Sequence, residues 1–160
     1  MTQVDPRTHS RMFSGNAPGG GDRTFHVFTT ISVADNTVAG TVWEVARIPS
    51  NARILPGSWI ATDDLETASN TPTLDIGLAA VNGNITSDAD AIQAGVTAAT
   101  AGVTPLIATS AHQNWGKKAW EYVNGQTSDP GGFLDVTVSL LDFNATEPGD
   151  VSVYLVYQVE

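Results

Sequence analysis

The sequence predicts an all-β protein: an antiparallel β-sandwich or jelly roll with an extended N-terminal arm and at most one short helix. Three observations carry this. Several segments alternate apolar and polar residues with the period of two that marks a half-buried strand, most clearly Thr73-Leu74-Asp75-Ile76-Gly77-Leu78. Turn dipeptides punctuate them at short spacing: Asp35-Asn36, Pro56-Gly57 and Asn82-Gly83. The first 23 residues follow neither a strand nor a helix period and run into Asn16-Ala17-Pro18-Gly19-Gly20-Gly21-Asp22, a flexible joint. Residues 1–23 therefore read as an arm and residues 24–160 as one domain, a length within the ordinary range of about 100–150 residues.

Taken in order, the first strand covers 25–33, where Phe25, Val27, Thr29, Ile31 and Val33 alternate with His26, Phe28, Thr30 and Ser32. In 41–48, Val42, Ala46 and Ile48 alternate with Trp43, Val45 and Arg47, so both faces carry apolar groups. Pro49 and Ser50-Asn51 break that strand before Arg53-Ile54-Leu55. Pro56-Gly57 makes a turn or bulge, and Ser58 to Thr62 resumes extended. The clear strand at 73–78 leads to a loop from Val81 to Ser87. Ser87-Asp88-Ala89-Asp90 then has the chemistry to cap a short helix reaching about Ala94. Two strands close the chain, one with Leu134, Val136, Val138 and Leu140 on a face, the other with Val151, Val153, Leu155, Tyr157 and Val159. About seven or eight short strands favour the sandwich, with a barrel as its competitor.

Composition excludes several function classes. A chain of this size buries roughly 68–70% of its unfolded surface and needs no staples. Without cysteine it has no disulfide, zinc–thiolate site or catalytic thiol. The N-terminus has no secretory pattern. The longest uncharged stretch, Ala91 to Gly116, is too polar for a span of about 20 apolar residues. The triplets Asn84-Ile85-Thr86 and Asn144-Ala145-Thr146 carry no weight without a secretion route.

The formal net charge is −10 and unevenly placed. Residues 1–23 set Arg7, Arg11 and Arg23 against Asp5 and Asp22 for a net +1, leaving −11 on the remainder. Such a body repels nucleic-acid phosphate and anionic lipid, so neither nucleic acid nor membrane is an expected partner. A weakly basic arm on an acidic body is suited to docking on a protein surface, with Met12 and Phe13 beside Arg11 as apolar anchors.

No constellation carries catalysis. His9, His26 and His112 lack the partners of a nucleophilic triad: Ser110 lies two residues from His112 and no nucleophile elbow accompanies it. Asp63-Asp64-x-Glu66 and Asp88-x-Asp90 lack calcium-loop spacing and read as acidic turns, weak calcium binding being the minor alternative. Gly19-Gly20-Gly21 and Gly116-Lys117-Lys118 do not fit a phosphate loop. Paired carboxylates for glycoside hydrolysis are not marked out by any pair. Neither catalytic residues nor metal ligands nor a cofactor are expected, and the chain reads as structural, not as an enzyme. The most unusual local feature is Trp115-Gly116-Lys117-Lys118-Ala119-Trp120-Glu121-Tyr122. Its aromatics and lysines Trp115, Lys117, Lys118, Trp120 and Tyr122 are candidates for a subunit interface, or else for stacking on a glycan; the plain alternative is an edge strand with Trp120 and Tyr122 on the core.

From Val42 to the C-terminus the chain resembles the small head proteins of tailed bacteriophages that decorate, or cement, the capsid. The resemblance rests on Arg47-Ile48-Pro49-Ser50-Asn51-Ala52-Arg53-Ile54-Leu55-Pro56-Gly57, on Thr73-Leu74-Asp75-Ile76-Gly77-Leu78, on Asp88-Ala89-Asp90, and on the closing Val151-Ser152-Val153-Tyr154-Leu155-Val156-Tyr157. It implies a β-sandwich that forms a homotrimer at three-fold positions and clamps adjacent copies of the major capsid protein on the outside of the virion, after assembly in the host cytoplasm. It also implies an arm that touches the capsid, here Arg7, Arg11, Met12, Phe13 and Arg23. The rival is a head-fibre or tail module that binds a host surface glycan.

Overall fold

In a computed structural model, which describes residues 12–13, 23–67, 70–107 and 116–159, the chain forms two antiparallel sheets packed face to face. The strands are β1 (Met12–Phe13), β2 (Arg23–Val33), β3 (Val42–Pro49), β4 (Arg53–Ile54), β5 (Trp59–Thr62), β6 (Thr73–Ala80), β7 (Asp88–Thr97), β8 (Gly102–Pro105), β9 (Phe133–Leu141) and β10 (Gly149–Val159). One sheet has the order β1-β2-β10-β5-β8, with β4 also on β10; the other has the order β3-β9-β6-β7.

Alternation dictates which side chains meet between the sheets. Leu74, Ile76 and Leu78 of β6, with Leu134, Val136, Val138 and Leu140 of β9, are fully buried against Ile60, Val151 and Leu155 of the facing sheet. On β3 the alternation changes phase: a bulge between Glu44 and Ala46 lets Trp43, Val45, Ala46 and Ile48 all reach the core. That is why both faces of this strand carry apolar residues in the sequence.

β10 spans the whole first sheet and is paired in sections. β5 covers Val151 to Tyr154 and β4 covers Tyr157 and Gln158. Between them Pro56 and Gly57, the latter at φ 105°, swing the chain away. The gap in the ladder is closed by a side chain: Val156 N donates to Ser58 Oγ at 2.9 Å, and Leu55 N donates to Val156 O at 2.8 Å. The turn at Asn82-Gly83 also forms, with φ 58° and 71°.

Three segments differ from expectation. The short helix from Ser87 to about Ala94 does not form; the chain is strand β7, which buries Ile92 and Val96 against β6. The residues read as helix caps do other work. Ser87 Oγ accepts from Ala80 N at 3.0 Å, and Asp88 Oδ2 accepts from Asn124 N at 2.9 Å, so both close strand connections. No α-helix occurs among the described residues, only a 3₁₀ turn over Ala119–Tyr122. This turn replaces the edge strand considered there. It begins after an isolated bridge between Lys118 and Arg53, and Lys118 N donates to Glu121 Oε2 at 2.6 Å. Finally, β8 lies in the uncharged stretch Ala91 to Gly116, where no strand was expected.

Candidate functional site

The two outer faces of the sandwich differ in chemistry. On the β3-β9-β6-β7 sheet the outward positions include the charged residues Glu44 and Arg47 on β3, Asp135 on β9 and Asp75 on β6, with Thr137, Ser139 and the exposed Phe133 of β9 among them. Asp135 is only 6% exposed and is held by a bidentate pair, with Arg47 Nε and Nη2 donating at 2.6 and 3.0 Å. The carboxylate raises the Arg47 pKa above its ordinary value, first through these hydrogen bonds and then through charge.

The outer face of the other sheet is aromatic and hydroxylated. Register alone assembles it. Tyr154 lies opposite Phe28 on one side and opposite Trp59 on the other, and Trp59 lies opposite Pro105. These four residues form a row across four strands. The Trp59 and Tyr154 rings are 5.6 Å apart, the Phe28 and Trp59 rings meet edge-on at 6.1 Å, and His26 flanks Tyr154 at 5.9 Å. His26 Nδ1 and the Tyr154 hydroxyl share a hydrogen bond of 2.6 Å. The next row is Thr30, Ser152, Ala61 and Val103, with Thr30 and Ser152 hydrogen-bonded at 2.9 Å. Phe28 remains 45% exposed and Val103 69% exposed. Among the described residues charge enters this face at its margins: at Asp150, which accepts from Ser32 Oγ at 2.8 Å, at Asp63 beside it, and at the opposite end at Arg53, opposite Gln158, and Arg23. A contiguous uncharged aromatic face on so acidic a chain has the chemistry of a protein-docking surface.

The residues singled out in the sequence lie elsewhere or inward. Arg7, Arg11 and Trp115 fall outside the described residues. The backbone of Met12 and Phe13 pairs with His26 and Phe25, and Arg23 is the exposed first residue of β2, opposite Val159. Tyr122 belongs to the core at 8% exposure. Burial first, and Glu121 second, push its pKa up to about 12. Lys117 Nζ sits 5.7 Å from the centroid of its ring. Trp120 packs on the core while half-buried, and Lys118 is half-buried too. Sequence reasoning passed over Phe28, Trp59 and Tyr154. The signal available was their place on the outward half of each alternation, but nothing local says that the three align.

The acidic turns act as caps: Asp63 Oδ2 accepts from Asp150 N at 2.8 Å and Asp64 Oδ1 from Glu66 N at 3.1 Å. Among the described residues no group of three or more His, Cys, Asp or Glu side chains is arranged to hold a metal ion, and no helix is long and apolar enough to cross a membrane.

What the geometry defines is a two-sheet β-sandwich with one charged and one aromatic outer face. This fold recurs in phage capsid structures. A chain in the capsid of Ralstonia phage GP4 superposes with a TM-score of 0.61 at 22% identity, over 94% of this chain and 91% of that one. A chain in the capsid asymmetric unit of cyanophage Pam1 superposes with a TM-score of 0.52 at 18% identity, over 97% and 99% of the two chains. No protein-family model matches the sequence, and neither does any curated protein.

Proposed function

We propose that this chain is a virion structural protein that decorates and stabilises the mature capsid of a tailed phage. In this reading it sits on the outer surface and clamps adjacent major capsid subunits, as a homotrimer at three-fold positions. The observation that carries the reading is the sharing of one fold, over nearly the full length of both chains, with components of two phage capsids. The aromatic sheet face supplies the means of attachment. Specific interfaces bury about 800 Å² per partner around aromatic anchors, and Phe28, Trp59 and Tyr154 are anchors on a face free of central charge. The arm, with Arg7, Arg11, Met12 and Phe13, adds a second attachment to the major capsid protein. The acidic opposite face turns to solvent and keeps particles apart. A clip that binds the expanded lattice and not its precursor stabilises the lattice by mass action, about 2.7 kcal/mol at a hundred times Kd.

The test is cosedimentation with capsids that lack the protein, together with light scattering on the soluble form. Saturation at the three-fold sites, lost in Trp59→Ala and Phe28→Ser variants that keep the wild-type melting temperature, is the expected result. A folded protein that binds no capsid at any concentration would overturn the reading.

A further inference from the structure

The aromatic outer face carries opposite charge at its two ends. Outward positions on β10 are the even-numbered residues from Asp150 to Gln158, with Tyr154 midway. At the Asp150 end, Asp63 lies alongside, just past β5, and its Oδ2 accepts from Asp150 N at 2.8 Å. At the Gln158 end, Arg53 stands opposite Gln158 and also donates to Gly116 O. Lys118 stands opposite Arg53 in an antiparallel bridge, so the two cations share one side of the sheet. The row of Phe28, Tyr154, Trp59 and Pro105 crosses between the acidic and the basic end.

Polar groups on this face are already paired with one another. His26 bonds to Tyr154, Thr30 to Ser152 and Ser32 to Asp150. A covering surface therefore displaces water without leaving these donors and acceptors unmet. The cover must supply apolar area at its centre, cations over Asp63 and Asp150, and anions over Arg53 and Lys118. A second copy of the same face meets all three demands in one orientation. A two-fold axis along the aromatic row, across the strands, lays each row on its own copy and the acidic end of one copy over the basic end of the other. A two-fold axis along the strands would instead bring the acidic ends together, where like charges repel. Aligned sheets cross at about 30°, which shifts the ends sideways by about 7 Å, within reach of arginine and lysine side chains.

We propose that the free protein forms a face-to-face dimer about the first of these axes. Trp59 and Tyr154 lie at its centre, and at each end Asp63 and Asp150 of one copy meet Arg53 and Lys118 of the other. The face is about 27 Å long and about 19 Å wide. Its plan of about 500 Å² is smaller than the standard interface of about 800 Å² per partner, so the dimer is weak, with a dissociation constant on the order of 10 µM. It covers the aromatic row while the protein is in solution and gives way to any surface that fits the row better. The inference concerns the protein without capsids, and holds or fails independently of a virion role.

Sedimentation equilibrium on the full chain tests it. Wild type should show a monomer–dimer equilibrium that weakens several-fold between about 0.05 and about 0.5 M NaCl, because salt screens the end charges. Trp59→Ala should abolish the dimer. Asp63→Lys and Arg53→Glu should each weaken self-association about 10-fold, since each sets like charges together at both ends. An equimolar mixture of the two should recover a heterodimer of wild-type affinity, one copy now bringing cations to both ends and the other anions. A folding defect would not be repaired by mixing, and Lys118→Glu replaces Arg53→Glu should the latter melt below wild type. A wild type that stays monomeric up to about 1 mM, or that forms trimers, would overturn the dimer, as would undiminished dimerisation of Trp59→Ala. Charge variants with the wild-type melting temperature that dimerise as wild type does, or that do not recover on mixing, would overturn the axis.

Discussion

Thr29 and Val45 tie the two sheets together. The Thr29 hydroxyl on β2 donates to the Val45 carbonyl on β3 at 2.8 Å, in a site where Thr29 is 1% exposed and Val45 is likewise 1% exposed. The bond forms at the bulge that shifts the phase of β3, where the Val45 carbonyl turns away from the ladder with β9. It joins β2 of one sheet to β3, the end strand of the other sheet's order.

The Thr29 hydroxyl satisfies a buried carbonyl, so its removal leaves that acceptor unpaired. Thr29→Val should cost about 1–3 kcal/mol, which for a chain of this length lowers Tm by roughly 2–4 °C for each kcal/mol. Thr29→Ser should retain most of the stability. Thermal unfolding followed by circular dichroism distinguishes the two; equal melting points for Val and Ser would mean that the bond contributes nothing.

Gly77 is required by a close approach. A Cβ there would stand 2.2 Å from Asp88 O and 2.4 Å from Ala89 C, both main-chain atoms of β7 that cannot rotate away. Gly77→Ala should destabilise by about 3 kcal/mol or prevent folding. Gly102 on β8 has only Thr100 O near a new Cβ, at 4.0 Å, and Gly102→Ala should be neutral or slightly stabilising. Urea titration of both variants checks the contrast.

The pKa of Asp90 is raised from its ordinary value, first by a hydrogen bond with Asp88, then by slight desolvation and the charges of Asp88 and Asp75. A raised folded-state pKa means that the folded protein binds this proton more tightly than the unfolded chain does. The associated stability is present at acid pH, below the ordinary carboxylate value, and is lost as pH rises through the raised one. Asp90→Asn should therefore melt higher than wild type at neutral pH, with the advantage shrinking on acidification. An advantage independent of pH would contradict this origin.

Tyr122, with a pKa pushed from 10 to about 12, gives an alkaline counterpart. Its contribution persists below pH 10 and fades as pH rises toward about 12, where burying the phenolate is opposed. Tyr122→Phe should remove the latest phase of the phenolate absorbance titration and flatten the stability loss over that interval. Loss of amplitude near pH 10 instead of in the latest phase would mean that the phenol ionises as if exposed.

Much of the architecture was legible before any coordinates, because a strand with one buried face writes its period into the residues. Leu74, Ile76 and Leu78 declare β6, and the valines and leucines of β9 and β10 declare theirs. Turn chemistry at Asn82-Gly83 and Pro56-Gly57 requires backbone conformations that few other pairs adopt, so it too reads locally. The uneven charge, net +1 over residues 1–23 and −11 over the remainder, is plain arithmetic on the chain.

Other features were decided by partners distant in sequence. Ser87 to Ala94 has acceptable helix chemistry, and only the edge of β6 and the amides of Ala80 and Asn124 make it strand. The apolar residues on both faces of β3 make sense once a bulge moves the phase, a feature with no local signal. Tyr122 looks like an interface aromatic and is core, since a 3₁₀ turn docked beside Arg53 points it inward. The candidate docking face depends most on tertiary structure. Phe28, Trp59 and Tyr154 come from three segments, and alternation tells each only that it lies opposite its own buried neighbours. Whether they share a row depends on strand order and register. Both are set by the pairing of β2, β10 and β5, through contacts that no one segment can encode alone.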